Sequence, residues 1–192
     1  MLGASPLSSF SEGTDAAQTC DRLYDDIRDI VLLAYPWSFT LKKVQLAQSV
    51  DAPANEWSFA YPLPSDLLGS GPKALFPGAG TGSAPVATGW EVYGQDILTS
   101  YSIVYIDYQS RPSEDVMPTY FVQLLKYWLA WHFAEPVTDQ VTKGQYYQLV
   151  AVGNVSENMR GGMMRAAMTI DGGVKPTKPV AMSFPLIASR AS

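Results

Sequence analysis

The chain has 192 residues, of which 47% are apolar and only 16% charged, and its net charge is −5. That is enough apolar material for the core of one domain plus extensions and too little charge for a disordered chain, while a negative balance excludes a general nucleic-acid binder, which needs a basic footprint. The charged fraction falls below the roughly 25% of ordinary globular domains, so uncharged surface has to be polar, apolar or covered by a partner.

Residues 1–15 are small and polar and read as a flexible arm. Helical spacing starts near Ala16, where Cys20, Leu23, Tyr24, Ile27, Ile30, Val31 and Ala34 recur at three- and four-residue steps. Thr14 or Asp15 is the expected N-cap, and Pro36 ends the helix at Tyr35 because the residue before a proline disfavours helical geometry. Lys42 and Lys43 then sit among Phe39, Leu41, Val44 and Leu46, in a short helix or an irregular strand.

From about 51 to 109 Gly and Pro become dense and short β-favouring runs appear. In 101–106, Tyr101, Ile103 and Tyr105 alternate with Ser102, Val104 and Ile106, the period of a strand. The stretch 69–89 is so rich in Gly, Ala, Pro and Ser that a long exposed loop or hairpin tip is expected there. A second helix begins near Met117 or Pro118, with Phe121, Leu124, Leu125, Trp128, Leu129 and His132 at helical spacing. It is expected to stop at Glu135–Pro136. It is apolar around much of its circumference, as in a helix central to a bundle or an interface. A third helix is expected from Thr138 or Asp139 to about Met168, weakened by Gly144, Gly153, Gly161 and Gly162 to the point where it breaks in two.

Residues 169–192 have no helical period and read as an extended tail. Within it Val180, Met182, Phe184, Leu186 and Ile187 are apolar enough to need a partner surface. The organisation expected is therefore an arm (1–15), one domain (16–168) and a tail (169–192). The fold class is α+β: a helical bundle of about three long helices with a β-rich insertion, about 51–109, between the first and second.

Chemistry is sparse. There is one histidine, His132, on the apolar second helix, and one cysteine, Cys20, so neither a disulfide framework nor a zinc ligand set is available. Asp25, Asp26 and Asp29 form the only tight carboxylate cluster and read as a solvated helix face. Gly78, Gly80 and Gly82 echo a dinucleotide loop, but no helix follows them. Glu56, Glu91, Asp96, Asp107, Glu114 and Glu135 are available for a two-carboxylate glycosidase, and sequence brings no two of them together. No cofactor, no metal and no catalytic residue is expected. The N-terminus lacks a secretory pattern, and the longest apolar run, 30–37, is far short of the roughly 20 residues of a membrane span. A soluble protein made in a reducing cytoplasm is the expectation.

The order of several motifs suggests a family. Pro36-Trp37-Ser38-Phe39 follows the first helix and runs on into KKVQLA (42–47). WSFAYPLPSDLL (57–68), with Trp57 and Tyr61, comes next, then GWEVYGQDILTS (89–100), with Trp90. The strand YSIVYIDY (101–108) precedes MPTYFVQLLKYWLAWHFAEPVT (117–138), with Phe121 and Trp128. Over about residues 16–160 this order resembles the tail tubular protein A, or head-to-tail adaptor, family of tailed bacteriophages. The enlarged 69–89 loop and the Gly-broken third helix depart from the family pattern. The resemblance implies a structural subunit, not an enzyme, at the head–tail junction of a virion. It would form a homo-oligomeric, dodecameric ring below the portal protein, support a tail tube or nozzle protein, and let packaged DNA pass without specific binding. The apolar tail would dock on the portal or a neighbouring subunit. Another tail or tube completion subunit is the alternative, ahead of a phage-associated wall hydrolase and a small-ligand binding domain.

Overall fold

The computed structural model of the chain describes residues 2–3, 8–51, 53–78 and 84–174. Thr14 caps the first helix, α1 (Asp15–Leu33). Its hydroxyl accepts from the Ala17 amide at 3.2 Å, and Asp15 adds a negative charge to the first turn, where the helix dipole favours one. Ala17, Cys20, Ile27 and Val31 face inward as their spacing predicts. Ile30, expected in the same stripe, faces outward at 54% exposure. The helix stops two residues before the predicted Tyr35. Carbonyls at this end are taken from outside: the buried Gln109 amide donates to those of Leu32 and Tyr35. The stretch expected as a free arm includes Phe10, whose ring packs on Tyr24 with centroids 5.6 Å apart.

A single 3-10 turn (Ser38–Thr40) leads into six short strands: β1 (Leu41–Gln45), β2 (Phe59–Pro62), β3 (Ala74–Phe76), β4 (Trp90–Tyr93), β5 (Asp96–Thr99) and β6 (Tyr105–Gln109). They form two antiparallel sheets, ordered β1-β6-β3 and β2-β5-β4. β1 is the strand that is one of the two expectations around Lys42 and Lys43, and it stands about ten residues ahead of the predicted β-rich insertion. The predicted strand at 101–106 is shifted: residues 101–104 lie outside any strand, and only the run from Tyr105 is paired. Within the exposed loop or hairpin tip expected at 69–89, β3 is instead a strand: Leu75 and Phe76 are buried and pair with β6, and Leu75 is bridged antiparallel to Val86. Three residues suffice for a strand when one of them fills a core, and composition averaged over twenty residues hides them. The Gly78–Gly82 motif falls mostly outside the described residues.

The sheets share one apolar cluster, with Leu75, Val104, Ile106 and Tyr108 beside Tyr61 and Ile97. The β4–β5 hairpin turns through Gly94 at φ +58°, the hand that a two-residue hairpin loop demands at its first position.

A second 3-10 turn (Glu114–Val116) precedes α2 (Thr119–Thr138). The helix runs two residues past Pro136, where a stop was expected. Proline removes one helical bond, and here it does so in the last turn, where Thr138 Oγ1 donates to the Ala134 carbonyl at 2.6 Å and Asp139 closes the end in the left-handed region. The third helix is broken in two, as its glycines led one to expect, into α3 (Val141–Val152) and α4 (Gly162–Gly172), so the described residues form four α-helices and two small sheets. The break lies at two of the predicted glycines. Gly153 (φ +77°) and Gly162 (φ +48°) adopt backbone conformations that other residues rarely hold, and they sit back to back with the Gly153 amide 3.1 Å from where a Gly162 Cβ would stand. α4 also extends past the predicted end at Met168, so 169–172 are helix and not tail. α2 packs against α1, α3 and α4. Among the described residues, no helix is long and apolar enough to cross a membrane.

Candidate assembly surface

The motif residues separate into two groups. Trp37 and Phe121 are fully buried, Trp128 is nearly so, and Phe39 packs on the same helical cluster. Trp37 meets Phe121 edge-on at 5.2 Å between centroids, Phe39 meets Phe121 at 5.0 Å, and the Trp37 indole donates to the Val31 carbonyl at 3.1 Å. Tyr61 and Trp90 belong instead to the cluster between the sheets. There the Tyr61 hydroxyl donates to the Tyr101 carbonyl at 2.8 Å. Trp57 is half-buried and joins neither group; its indole nitrogen is buried without a hydrogen-bond partner. Most of the motif residues are therefore framework: they fix the corner between α1 and α2 and the seam between the sheets. The five apolar tail residues, Val180, Met182, Phe184, Leu186 and Ile187, lie outside the described residues.

Three buried polar contacts that periodicity does not reveal lock these parts together. The Asp171 carboxylate, fully buried near the end of α4, accepts from the Ser38 amide at 3.0 and 3.1 Å, the Ser38 hydroxyl at 2.8 Å and the Tyr120 hydroxyl at 2.6 Å. Burial, and then the bond to this carboxylate, push the Tyr120 hydroxyl up to about 12. Arg28, also buried, holds Asp25 and Glu114 at 3.0 Å and Asp29 at 3.2 Å, and Asp29 is shared with Arg111. Ser110 Oγ donates to the Thr40 carbonyl at 2.9 Å and joins the first sheet to the corner. A sequence signal for Asp171 did exist: a lone acid in an otherwise small and apolar helical run.

The single histidine and the single cysteine both sit in packed surroundings. His132 stacks parallel to Trp128, and its Nδ1 lies 2.9 Å from the Trp128 carbonyl. Burial pushes the Cys20 thiol up, away from the thiolate a nucleophile requires. Of the carboxylates considered for glycosidase work, Glu114 is engaged by Arg28 and Tyr24, and Asp107 by Lys43 at 3.3 Å. Among the described residues, no three His, Cys, Asp or Glu side chains stand close enough to hold a metal.

What the surface offers instead is apolar area on two separate helices that both pack on α2. α1 turns Ile30 and Leu33 outward. α3 turns out Tyr146 and Leu149, one helical turn apart. Leu149 and the 91% exposed Val155 line a shallow groove of about 220 Å³ whose other walls are the uncharged Gln145, Gln148 and Asn154. Side chains of this kind, large, apolar and ringed by amides without charge, are what a protein–protein contact buries. No protein-family model and no curated protein matches the chain.

Proposed function

We propose that the chain is a structural subunit of a tailed-phage head–tail junction, an adaptor that builds a ring between portal and tail. One observation carries the reading: each subunit presents two different sets of exposed apolar side chains, Ile30 and Leu33 on α1 and Tyr146 and Leu149 on α3, held apart by α2. Closed rings are made from heterologous contacts, in which one patch of a subunit meets a different patch of the next. The motif order that resembles the adaptor family supports the same reading, since its aromatic residues form the framework that holds the patches in place. In this reading the helices make up the ring-forming bundle, the two sheets are an insertion projecting from it, and the residues beyond Val174 reach the portal or a neighbouring subunit. The net charge of −5 suits a wall past which DNA slides without binding. The role is assembly and not catalysis.

The test is a cryo-electron microscopy map of the virus particle that contains this chain. A rotationally repeated ring of this chain against the portal is the expected result. Density for it elsewhere in the tail would make it a tube or completion subunit, and absence from the particle would remove the structural role. A particle-assembly assay with residues 175–192 deleted adds a second arm: the subunit folds but no longer joins the portal, and normal tail attachment would refute the docking role of that segment.

A further inference from the structure

The turn between α3 and α4 is held from within. The Glu157 carboxylate accepts from the Asn154 amide at 2.9 Å and from the Arg165 guanidinium at 2.7 Å. Gly153 and Gly161 close on the same carboxylate, and a Cβ at either position would collide with it. The Gly161 amide donates to the Val152 carbonyl at 2.8 Å and shuts the loop at its base. These bonds fix the shape of residues 153–161.

What this frame displays is apolar. Val155 is 91% exposed and Met159 is 40% exposed. Asn158 and Met159 both lie at positive φ, +50° and +61°. Asparagine tolerates that region, but a long side chain such as methionine seldom enters it. Such conformations persist where the surrounding structure imposes them, and they cluster at sites of binding. Arg160 follows and is exposed, so the tip sets a cation beside two apolar groups. Leu149 of α3 extends the apolar surface across the groove that it lines with Val155.

The surface that fits such a tip is apolar and carries a carboxylate. α1 has one. Asp26, Ile30 and Leu33 stand at i, i+4 and i+7, one stripe along the helix, and all three are exposed. The acids on either side are engaged within the chain: Arg28 holds Asp25 at 3.0 Å and Asp29 at 3.2 Å, and Arg111 also holds Asp29. Asp26 lies one turn before Ile30, much as Arg160 lies next to Met159. Each surface therefore has two apolar side chains with one charge beside them, and the charges are opposite. Both surfaces are exposed in the single chain, so the contact that matches them is between two copies.

We infer that the α3–α4 loop of one copy seats on the α1 stripe of the next, with Val155 and Met159 against Ile30 and Leu33 and with Arg160 paired to Asp26. This names the two halves of the heterologous contact proposed above and rests on that reading. The test uses virus particles that contain the full chain with Val155→Cys and Ile30→Cys together, treated with a short bismaleimide. Both positions are exposed, and the buried Cys20 is common to every form. A ladder of covalent multimers of this chain is expected, while each single-cysteine variant stays monomeric. Arg160→Asp lowers the yield of complete particles about tenfold, and adding Asp26→Arg restores it. Monomers only, in particles whose map shows the ring, overturn the contact and leave the ring standing. A covalent dimer from a single-cysteine variant overturns it too, because like surfaces would then meet face to face, and so does cross-linking to a different protein. A yield that Asp26→Arg fails to restore overturns the Arg160–Asp26 pairing. Absence of the chain from the particle removes the ring reading and this inference with it.

Discussion

Replacing Asp171 with Ala removes the acceptor for three donors at once. The Ser38 amide, the Ser38 hydroxyl and the Tyr120 hydroxyl all converge on this carboxylate, which is fully shielded from water. Hydrogen bonds to a charged group contribute about 1.5–3 kcal/mol each, and the three are coupled, so their sum is an upper bound. The half-buried Tyr120 hydroxyl can turn to water, but the Ser38 amide cannot. A loss of about 3–5 kcal/mol is expected for Asp171→Ala, against about 1–2 kcal/mol for Tyr120→Phe, which removes a single donor. Total stability is on the order of 5–15 kcal/mol, so the first variant comes close to unfolding. Urea denaturation monitored by tryptophan fluorescence suits the purpose, because Trp37 sits at this corner and its environment reports the loss of packing. With a urea dependence of about 2 kcal/mol per molar, the Asp171→Ala midpoint falls by roughly 2 M. A midpoint within about 0.3 M of the parent, at unchanged slope, would show that Asp171 does not tie α4 to the α1–α2 corner.

Other perturbations have signs that the structure decides. Alkaline pH destabilises the fold between about 10 and 12. Burial and neighbouring carboxylates raise the Tyr120 and Tyr108 hydroxyls from 10.0 to about 12, so the unfolded chain loses these protons first; stability held below pH 10 falls as pH rises through the window. The opposite limb is acidic. Burial pushes the Asp66 carboxyl up, but bonds from Lys42 and Tyr108 outweigh it, and Glu114 is held down first by its own amide and then by Arg28. Both carboxyls are lowered, so the stability they contribute is present above their ordinary values of 3.8 and 4.5 and is lost as pH falls further; thermal melts across pH check both limbs. Gly162→Ala should cost more than about 2 kcal/mol, because it adds left-handed strain to a collision with the Val150 carbonyl, whereas Gly172→Ala, whose Cβ would make only an ordinary contact with the Tyr35 hydroxyl, is neutral or gains up to about 1 kcal/mol. Arg28→Met leaves Asp29 with Arg111 and Glu114 with the Tyr24 hydroxyl and water, and a loss of about 1–3 kcal/mol in chemical denaturation is expected.

Local patterns in the sequence carried the helical half of the molecule. The stripe through Cys20, Ile27 and Val31, the Thr14 cap and the run through Phe121, Leu124 and Trp128 are properties of spacing, and a helix is built from neighbours in the chain. The glycine-weakened third helix breaks where its glycines stand, because Gly153 and Gly162 meet a steric demand that is itself local. What spacing alone left undecided depends on partners far along the chain. β3 is a strand because Ile106 lies opposite Leu75, not because 74–76 is strand-like. Asp171 and Gln109 are buried because they complete bonds to Ser38 and to the end of α1, 133 and 77 residues away. The outward turn of Ile30 has the same origin. A periodic pattern states that a face is apolar, and only the tertiary packing decides whether this chain covers that face or leaves it for another.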